Sequence, residues 1–269
     1  MAMNDETSTE QKQIVKEQFG RTARAYVEST LHNNQTALGV VVTAVNPKSD
    51  WLVLDVATGG GHVAKALAGK VKHVIASDLT PAMLEEARTH IRDVSGINNV
   101  SYVLADAEQL PFLTETFDAV TCRIAPHHFP HPHQFVAEAA RVLKHGGRFV
   151  LVDNIVPLDD ALADWYNTVE KLRDKSHIRC ASTTEWQAWM GRAGLVFERG
   201  QTSWKKFEFD SWARRMVTSE EQYHEVLDFI RSAPQAAANY FRVETEKNVH
   251  ETTVLSFQGQ EWLAVCHKP

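Results

Sequence analysis

The chain changes its hydrophobic rhythm twice. Residues 1–10 are polar and read as a disordered tail. From Gln11 to Val45 the pattern is helical: Ile14, Val15, Gln18, Phe19, Thr22, Ala23 and Tyr26 fall on one face at spacings of three and four. Two helices are expected there, ended by Asn46-Pro47. Short apolar runs then alternate with helical stretches. Strands are expected at Trp51–Val56, Val71–Ser77, Val100–Leu104, Phe117–Cys122 and Arg148–Asp153. Helices are expected from His62 to Leu67, from Thr80-Pro81 as cap and first position to Asp93, and from Pro132 to Leu143 with His145-Gly146-Gly147 as its C-cap. Such alternation predicts an α/β fold with right-handed crossovers and a buried parallel sheet.

Beyond Pro157 the rhythm is mixed. Asp159–Lys175, Thr183–Ala193 and Ser219–Ser232 read as helices, and Leu195–Phe209 and Leu255–His267 as strands. The polar run Leu172 to Arg179 suits contact with a charged substrate or a solvated helix end, and reads rather as the second. The expected organisation is a tail (1–10), N-terminal cap helices (11–46), an α/β core (47–209), a helical cap insertion (210–253) and a final core strand (254–269).

Composition narrows the function classes. Hydrophobic residues make up 43% and charged residues 23% of the 269 positions, ordinary for a protein with a real core. The formal charge of −6 argues against nucleic acid, which needs a basic face, and against an acidic membrane surface. No run of 18 apolar residues offers a spanning helix. Cys122, Cys180 and Cys266 are odd in number and far apart, which fits a reducing cytoplasm. Monomer and homodimer stay open.

The chemistry concentrates where strands end. Asp55-Val-Ala-Thr-Gly59-Gly60-Gly61 follows an apolar strand and opens a helix. Gly59 to Ala64 also satisfies the Gly-x-Gly-x-x-Ala dinucleotide pattern, so the turn alone does not choose a cofactor. Charge does. A nicotinamide dinucleotide brings a pyrophosphate, next to which Asp55 is unfavourable. S-adenosylmethionine carries an ammonium and a sulfonium, and a carboxylate suits both. Asp78, roughly 20 residues on, stands at the spacing for ribose hydroxyls. Asp106 is placed to accept from an adenine amino group. Asp55, Asp78, Asp106, Arg123 and Asp153-Asn154 end successive strands, where open α/β sheets gather ligands.

These segments resemble a known family. Val53–Gly61, Ala76-Ser-Asp-Leu-Thr-Pro-Ala-Met-Leu84, Ala105-Asp-Ala-Glu-Gln-Leu-Pro-Phe112, Phe117-Asp-Ala-Val120 and Glu138–Gly147 look like the successive motifs of class I S-adenosylmethionine-dependent methyltransferases. Phe19–Tyr26 and Cys122–Phe129 are similar to the ubiquinone/menaquinone C-methyltransferase-like group and a bacterial subgroup of unassigned substrate within it. The resemblance implies a doubly wound, seven-stranded, mostly parallel sheet of order 3-2-1-4-5-7-6, strand 7 antiparallel, with a helical cap. It implies that Asp55, Ala57, Thr58, Gly59 and Gly61 line the methionine part of the cofactor. Asp78 would bind ribose, Leu79 and Met83 pack on adenine, Asp106 and Ala107 read its edge, and Arg123 sit beside it. Ala57 departs from the family, which has glycine there.

The implied reaction moves a methyl group to a small-molecule acceptor and leaves S-adenosylhomocysteine. His127 and His128 are the candidate proton acceptors, with His128 favoured. His127, His128, His131 and His133 also crowd together, but the prolines among them break helical spacing, and no metal site is expected. The N-terminal helices and the 210–253 insertion are the expected lid. Trp165, Tyr166, Trp204, Trp212, Tyr240 and Phe241 are candidate pocket aromatics. A nicotinamide-dependent oxidoreductase and a non-catalytic adenosine-ligand protein of this fold are the alternatives.

Overall fold

Adjacent residues of one strand supply two different cores. In β1 (Leu52–Val56), Val53 faces one side of the sheet and Leu54 the other, because strand side chains alternate. The computed structural model that shows this describes residues 5–28, 35–247 and 252–269. Residues 1–4, 29–34 and 248–251, and the side chains of Asp5, 22–28 (Thr22, Ala23 and Tyr26 among them) and Lys247, lie outside it.

One sheet holds every described strand. β2 (His73–Asp78), β3 (Val100–Leu104), β4 (Phe117–Arg123) and β5 (Leu143–Ile155) join β1 in parallel, while β6 (Val196–Glu208), β7 (Glu244–Lys247) and β8 (Thr252–His267) make antiparallel pairs. The order is β3-β2-β1-β4-β5-β8-β6, with β7 a further partner of β8. This is the expected order, with β8 as the antiparallel seventh core strand and β7 added.

Helices cover both faces. α2 (Gln35–Val45) and α3 (His62–Ala68) bury Val41, Val45, Ala64 and Leu67 against Val53, Val74 and Val150. On the other face α5 (Pro132–Val142) and α7 (Thr183–Arg192) bury Phe135, Val136, Trp186 and Met190 against Leu54, Val120 and Phe149. Full burial of each such side chain contributes roughly 1.5–3 kcal/mol. α7 starts in a capping box, Ser182 and Glu185 each bonding the other's backbone N–H. α4 (Pro81–Arg88) follows β2 and continues as a wider turn over Thr89–Asp93.

Three expectations need correction. α1 (Asp5–Glu28) is already helical at Asp5, so residues 5–10 are not a disordered tail; Ser8 and Gln11 turn their polar side chains onto the protein. Gly146-Gly147 does not cap α5, because β5 begins at Leu143 and passes through the pair, with Gly146 at φ +74°. The described residues of the 210–253 segment do not roof the sheet's ligand edge. Its helices α8 (Phe209–Arg214), α9 (Glu220–Arg231) and α10 (Gln235–Tyr240) pack with α6 (Asp160–Arg173) and β8 in a third core. Trp165, Tyr166, Trp212 and Phe241 are buried there, and Trp204 lies against Tyr240.

Candidate active site

The carboxyl ends of β1, β2, β3 and β4 meet α1 around one cavity of about 1020 Å³, open solvent at its mouth included. Asp55, Ala57, Thr58, Gly59, Asp78, Leu79, Met83, Asp106, Ala107, Arg123 and His128 all line it. Gly61 and His127 do not, and each has a physical reason.

Gly61 faces away from the cavity. It sits at φ +78°, and a Cβ on it would lie 2.7 Å from Ile91 Cδ1 and 3.1 Å from Ala87 Cβ. Its role is to let α3 and α4 approach, so the expectation that it lines the methionine part is corrected. Gly59, at φ +53°, would meet nothing within 4 Å on gaining a Cβ, which leaves the cavity side of the turn open. Ala57 adopts φ +51° despite its methyl, a region that disfavours side chains.

Asp55 is buried at 2% exposure. Thr58 Oγ1 donates to its Oδ2 at 2.6 Å and Thr121 Oγ1 to its Oδ1 at 2.7 Å. Burial pushes its carboxyl up to about 6, against those two hydrogen bonds and the charge of Arg123. Asp78 is fixed by the turn it faces: Gly59 N donates to Oδ2 and Thr80 N to Oδ1, both at 2.9 Å. Burial raises its carboxyl as well. Asp106 Oδ1 accepts from Glu108 N at 2.9 Å, and Lys12 of α1 reaches its Oδ2 at 2.7 Å and Glu108 Oε2 at 2.6 Å.

The segment after β4 supplies the opposite wall. Ile124 takes φ +53°, unusual for a β-branched residue, and Pro126–His128 forms a single 3-10 turn. The turn sends the two histidines to different places. His127 N and Nδ1 bond Asp153 Oδ2 and Oδ1 at 3.0 and 2.6 Å, behind the cavity wall. Burial lowers the His127 imidazole, but the Asp153 charge and hydrogen bond outweigh it and the net direction is up. His127 thus holds the loop, which corrects its reading as a proton acceptor in the cavity. His128 reaches the cavity, meets Phe19 of α1 edge to face at 4.9 Å, and contacts Ser176 Oγ through Nδ1 at 3.2 Å.

Several lining residues were missed. Lys12, Val15 and Phe19 come from α1, which the expected lid included without singling out these three side chains. The run read as a solvated helix end is interior: Asp174, Ser176 and His177 are 2%, 0% and 1% exposed. Among the described residues no group of three or more metal-ligating side chains is assembled, and no helix is long and apolar enough to cross a membrane.

Residues 54–151 match the family described as Methyltransferase domain. The chain is 33% identical to the uncharacterized methyltransferase YcgJ of Bacillus subtilis, over 86% of this chain and 90% of that protein. It is 35% identical to the demethylmenaquinone methyltransferase of Clavibacter sepedonicus, over 63% of this chain and 69% of that one. The crystal structure of a putative methyltransferase from Bacillus halodurans superposes with a TM-score of 0.83 at 44% identity, covering 87% of this chain and 99% of the other.

Proposed function

We propose, from the premise that the chain belongs to the class I methyltransferases, that it uses S-adenosylmethionine to methylate a small-molecule acceptor whose proton His128 removes. When bound, that cofactor supplies a methyl carbon activated by a sulfonium.

The observation that carries the cofactor reading is Asp55, a buried carboxylate on the cavity wall beside an open glycine turn. It suits a cationic ligand and opposes a pyrophosphate. Asp55, Ala57, Thr58 and Gly59 then hold the methionine part. Asp78, oriented by Gly59 N and Thr80 N, faces the cavity as an acceptor for ribose hydroxyls. Leu79 and Met83 pack on adenine, Asp106 and Ala107 meet its edge, and Arg123 lies beside the cofactor on the cavity wall.

His128 and the Phe19 and Phe129 rings border the same cavity. They would align the acceptor and exclude water, which is most of what a displacement at an activated carbon asks of a protein. The acceptor's proton becomes strongly acidic as its atom gains the methyl group, so a neutral imidazole suffices to take it. A chain charge of −6 favours a small acceptor over nucleic acid. Buried thiols at Cys122, Cys180 and Cys266 fit the reducing cytoplasm.

Calorimetry with S-adenosylhomocysteine and with NADH tests the cofactor. Binding of the first alone is expected; binding of NADH alone overturns the reading. Transfer of a labelled methyl group across an acceptor panel tests the reaction. Cofactor binding with no transfer to any acceptor would favour the non-catalytic alternative.

A further inference from the structure

We infer that Ser176 and Asp174 are positioning residues that hold His128 as the Nδ1–H tautomer and leave Nε2 as its proton-accepting atom. The inference rests on the reading of His128 as the group that takes the acceptor's proton.

The number of hydrogens available fixes the direction of each bond. Asp174 Oδ1 lies 2.6 Å from Ser176 Oγ and 2.8 Å from Ser176 N. An ionised carboxylate only accepts, so both groups donate to it. A serine hydroxyl has one hydrogen, and here it points at Asp174. The contact between Ser176 Oγ and His128 Nδ1 at 3.2 Å therefore runs the other way, with Nδ1–H donating to Oγ. A neutral imidazole with its hydrogen on Nδ1 keeps a lone pair on Nε2. Asp174 Oδ2 lies 3.9 Å from Nε2, too far for a hydrogen bond and near enough to favour the cation that proton capture creates.

The surroundings set the protonation states that this requires. Burial raises the Asp174 carboxyl; the charge His128 carries when protonated, Arg173 and the two Ser176 hydrogen bonds outweigh it, and the last three act with His128 neutral. Burial and the neighbouring His127 push His128 well below the ordinary histidine range, so it is neutral and has a tautomer to choose. The titratable and charged groups facing it are His127 at 4.3 Å between ring centroids, His177 at 6.3 Å, Asp174 and Arg173; α1 presents the uncharged Phe19. A turn at Asp174 needs only the bond from Ser176 N. The hydroxyl carries the chain of bonds on to His128, and Gln11 Nε2 of α1 holds Ser176 O at 2.8 Å from the other side.

Long-range 1H–15N NMR of the full chain with 15N-labelled histidine reads the tautomer directly, and His128→Gln assigns the signal. Near neutral pH the wild type is expected to show His128 almost wholly as Nδ1–H. Ser176→Ala should lose that preference while S-adenosylhomocysteine binding stays within about twofold. Asp174→Ala frees the serine hydroxyl to donate to Nδ1, so the tautomer should switch to Nε2–H. Asp174→Asn keeps an acceptor oxygen and should restore Nδ1–H. If Asp174→Ala does not fold, Ser176→Ala decides. A wild-type Nε2–H signal, or an unchanged tautomer in Ser176→Ala, overturns the inference and leaves the methyl-transfer reading standing. Undiminished methyl transfer by His128→Gln, with the tautomer as expected, removes the catalytic reading and leaves the hydrogen-bond chain as architecture.

Discussion

Lys12 of α1 reaches Asp106 Oδ2 at 2.7 Å across 94 positions of sequence, and Glu108 Oε2 at 2.6 Å. The first helix is thereby tied to the strand end that meets the adenine edge in the proposed complex. Side-chain exposures of 22% for Lys12 and 30% for Asp106 keep that pair partly screened, so it contributes roughly 0.2–1 kcal/mol. Lys12→Met should loosen α1 and speed dissociation of S-adenosylhomocysteine about two- to fivefold, read by stopped flow. The wild-type rate should move towards the variant's as salt is raised, since exposed pairs are screened. An unchanged dissociation rate would show that α1 does not hold the cofactor.

Asp78 presents a carboxylate already oriented by Gly59 N and Thr80 N, so its ribose contacts carry little ordering cost. Asp78→Ala should weaken S-adenosylhomocysteine binding at least about tenfold, since charge-assisted hydrogen bonds contribute a few kcal/mol together. Calorimetry showing wild-type affinity would remove Asp78 from the site.

How far these positions were readable depends on what marks them. Asp55, Asp78 and Asp106 were legible because each closes an apolar strand, and strand ends converge in this fold. The spacing did not tell Gly59 from Gly61, because the choice turns on where Ile91 lies. Nor did adjacency tell His127 from His128; a single 3-10 turn sends one to Asp153 and the other to the cavity. Asp174 and Ser176 were hidden for another reason. A polar run after a helix ordinarily meets water, and it is Gln11, Asn167, His127 and His128, packed around this one from elsewhere, that make an interior site of it. Lys12 carries no local signal at all.

Asp55 sets a pH dependence whose sign follows from its direction of shift. Burial raises its carboxyl to about 6, so acidification through that value neutralises it in the cofactor-free protein. A cationic cofactor prefers the ionised form. Affinity for S-adenosylmethionine should therefore be flat above about pH 7 and fall as pH drops through about 6. Stability without cofactor moves oppositely: a folded-state value above 3.8 means ionised Asp55 costs stability at high pH, a cost relieved as pH falls through about 6. Asp55→Asn should bind weakly and lose the pH dependence. An affinity constant down to pH 5, measured by calorimetry on the wild type, would sink the pairing of Asp55 with the cofactor's positive charge.

Two residues of the glycine turn share the left-handed conformation and should respond differently to a methyl group. Ala57 already carries one at φ +51° and faces the cavity, where the only cost is backbone strain. Gly61 at φ +78° has Ile91 Cδ1 2.7 Å from the position a Cβ would take, and Ile91 is fully buried, so it has little room to give way. Gly61→Ala combines a left-handed penalty of roughly 1–2 kcal/mol with overpacking of about 1–3 kcal/mol. The expected loss is roughly 2–5 kcal/mol, lowering the melting temperature by roughly 4–9 °C for a chain of this size. S-adenosylhomocysteine should still bind the folded fraction, because Gly61 does not face the cavity. A variant that melts like the wild type would show that Ile91 repacks freely, and one that keeps its stability but loses the cofactor would return Gly61 to the binding turn.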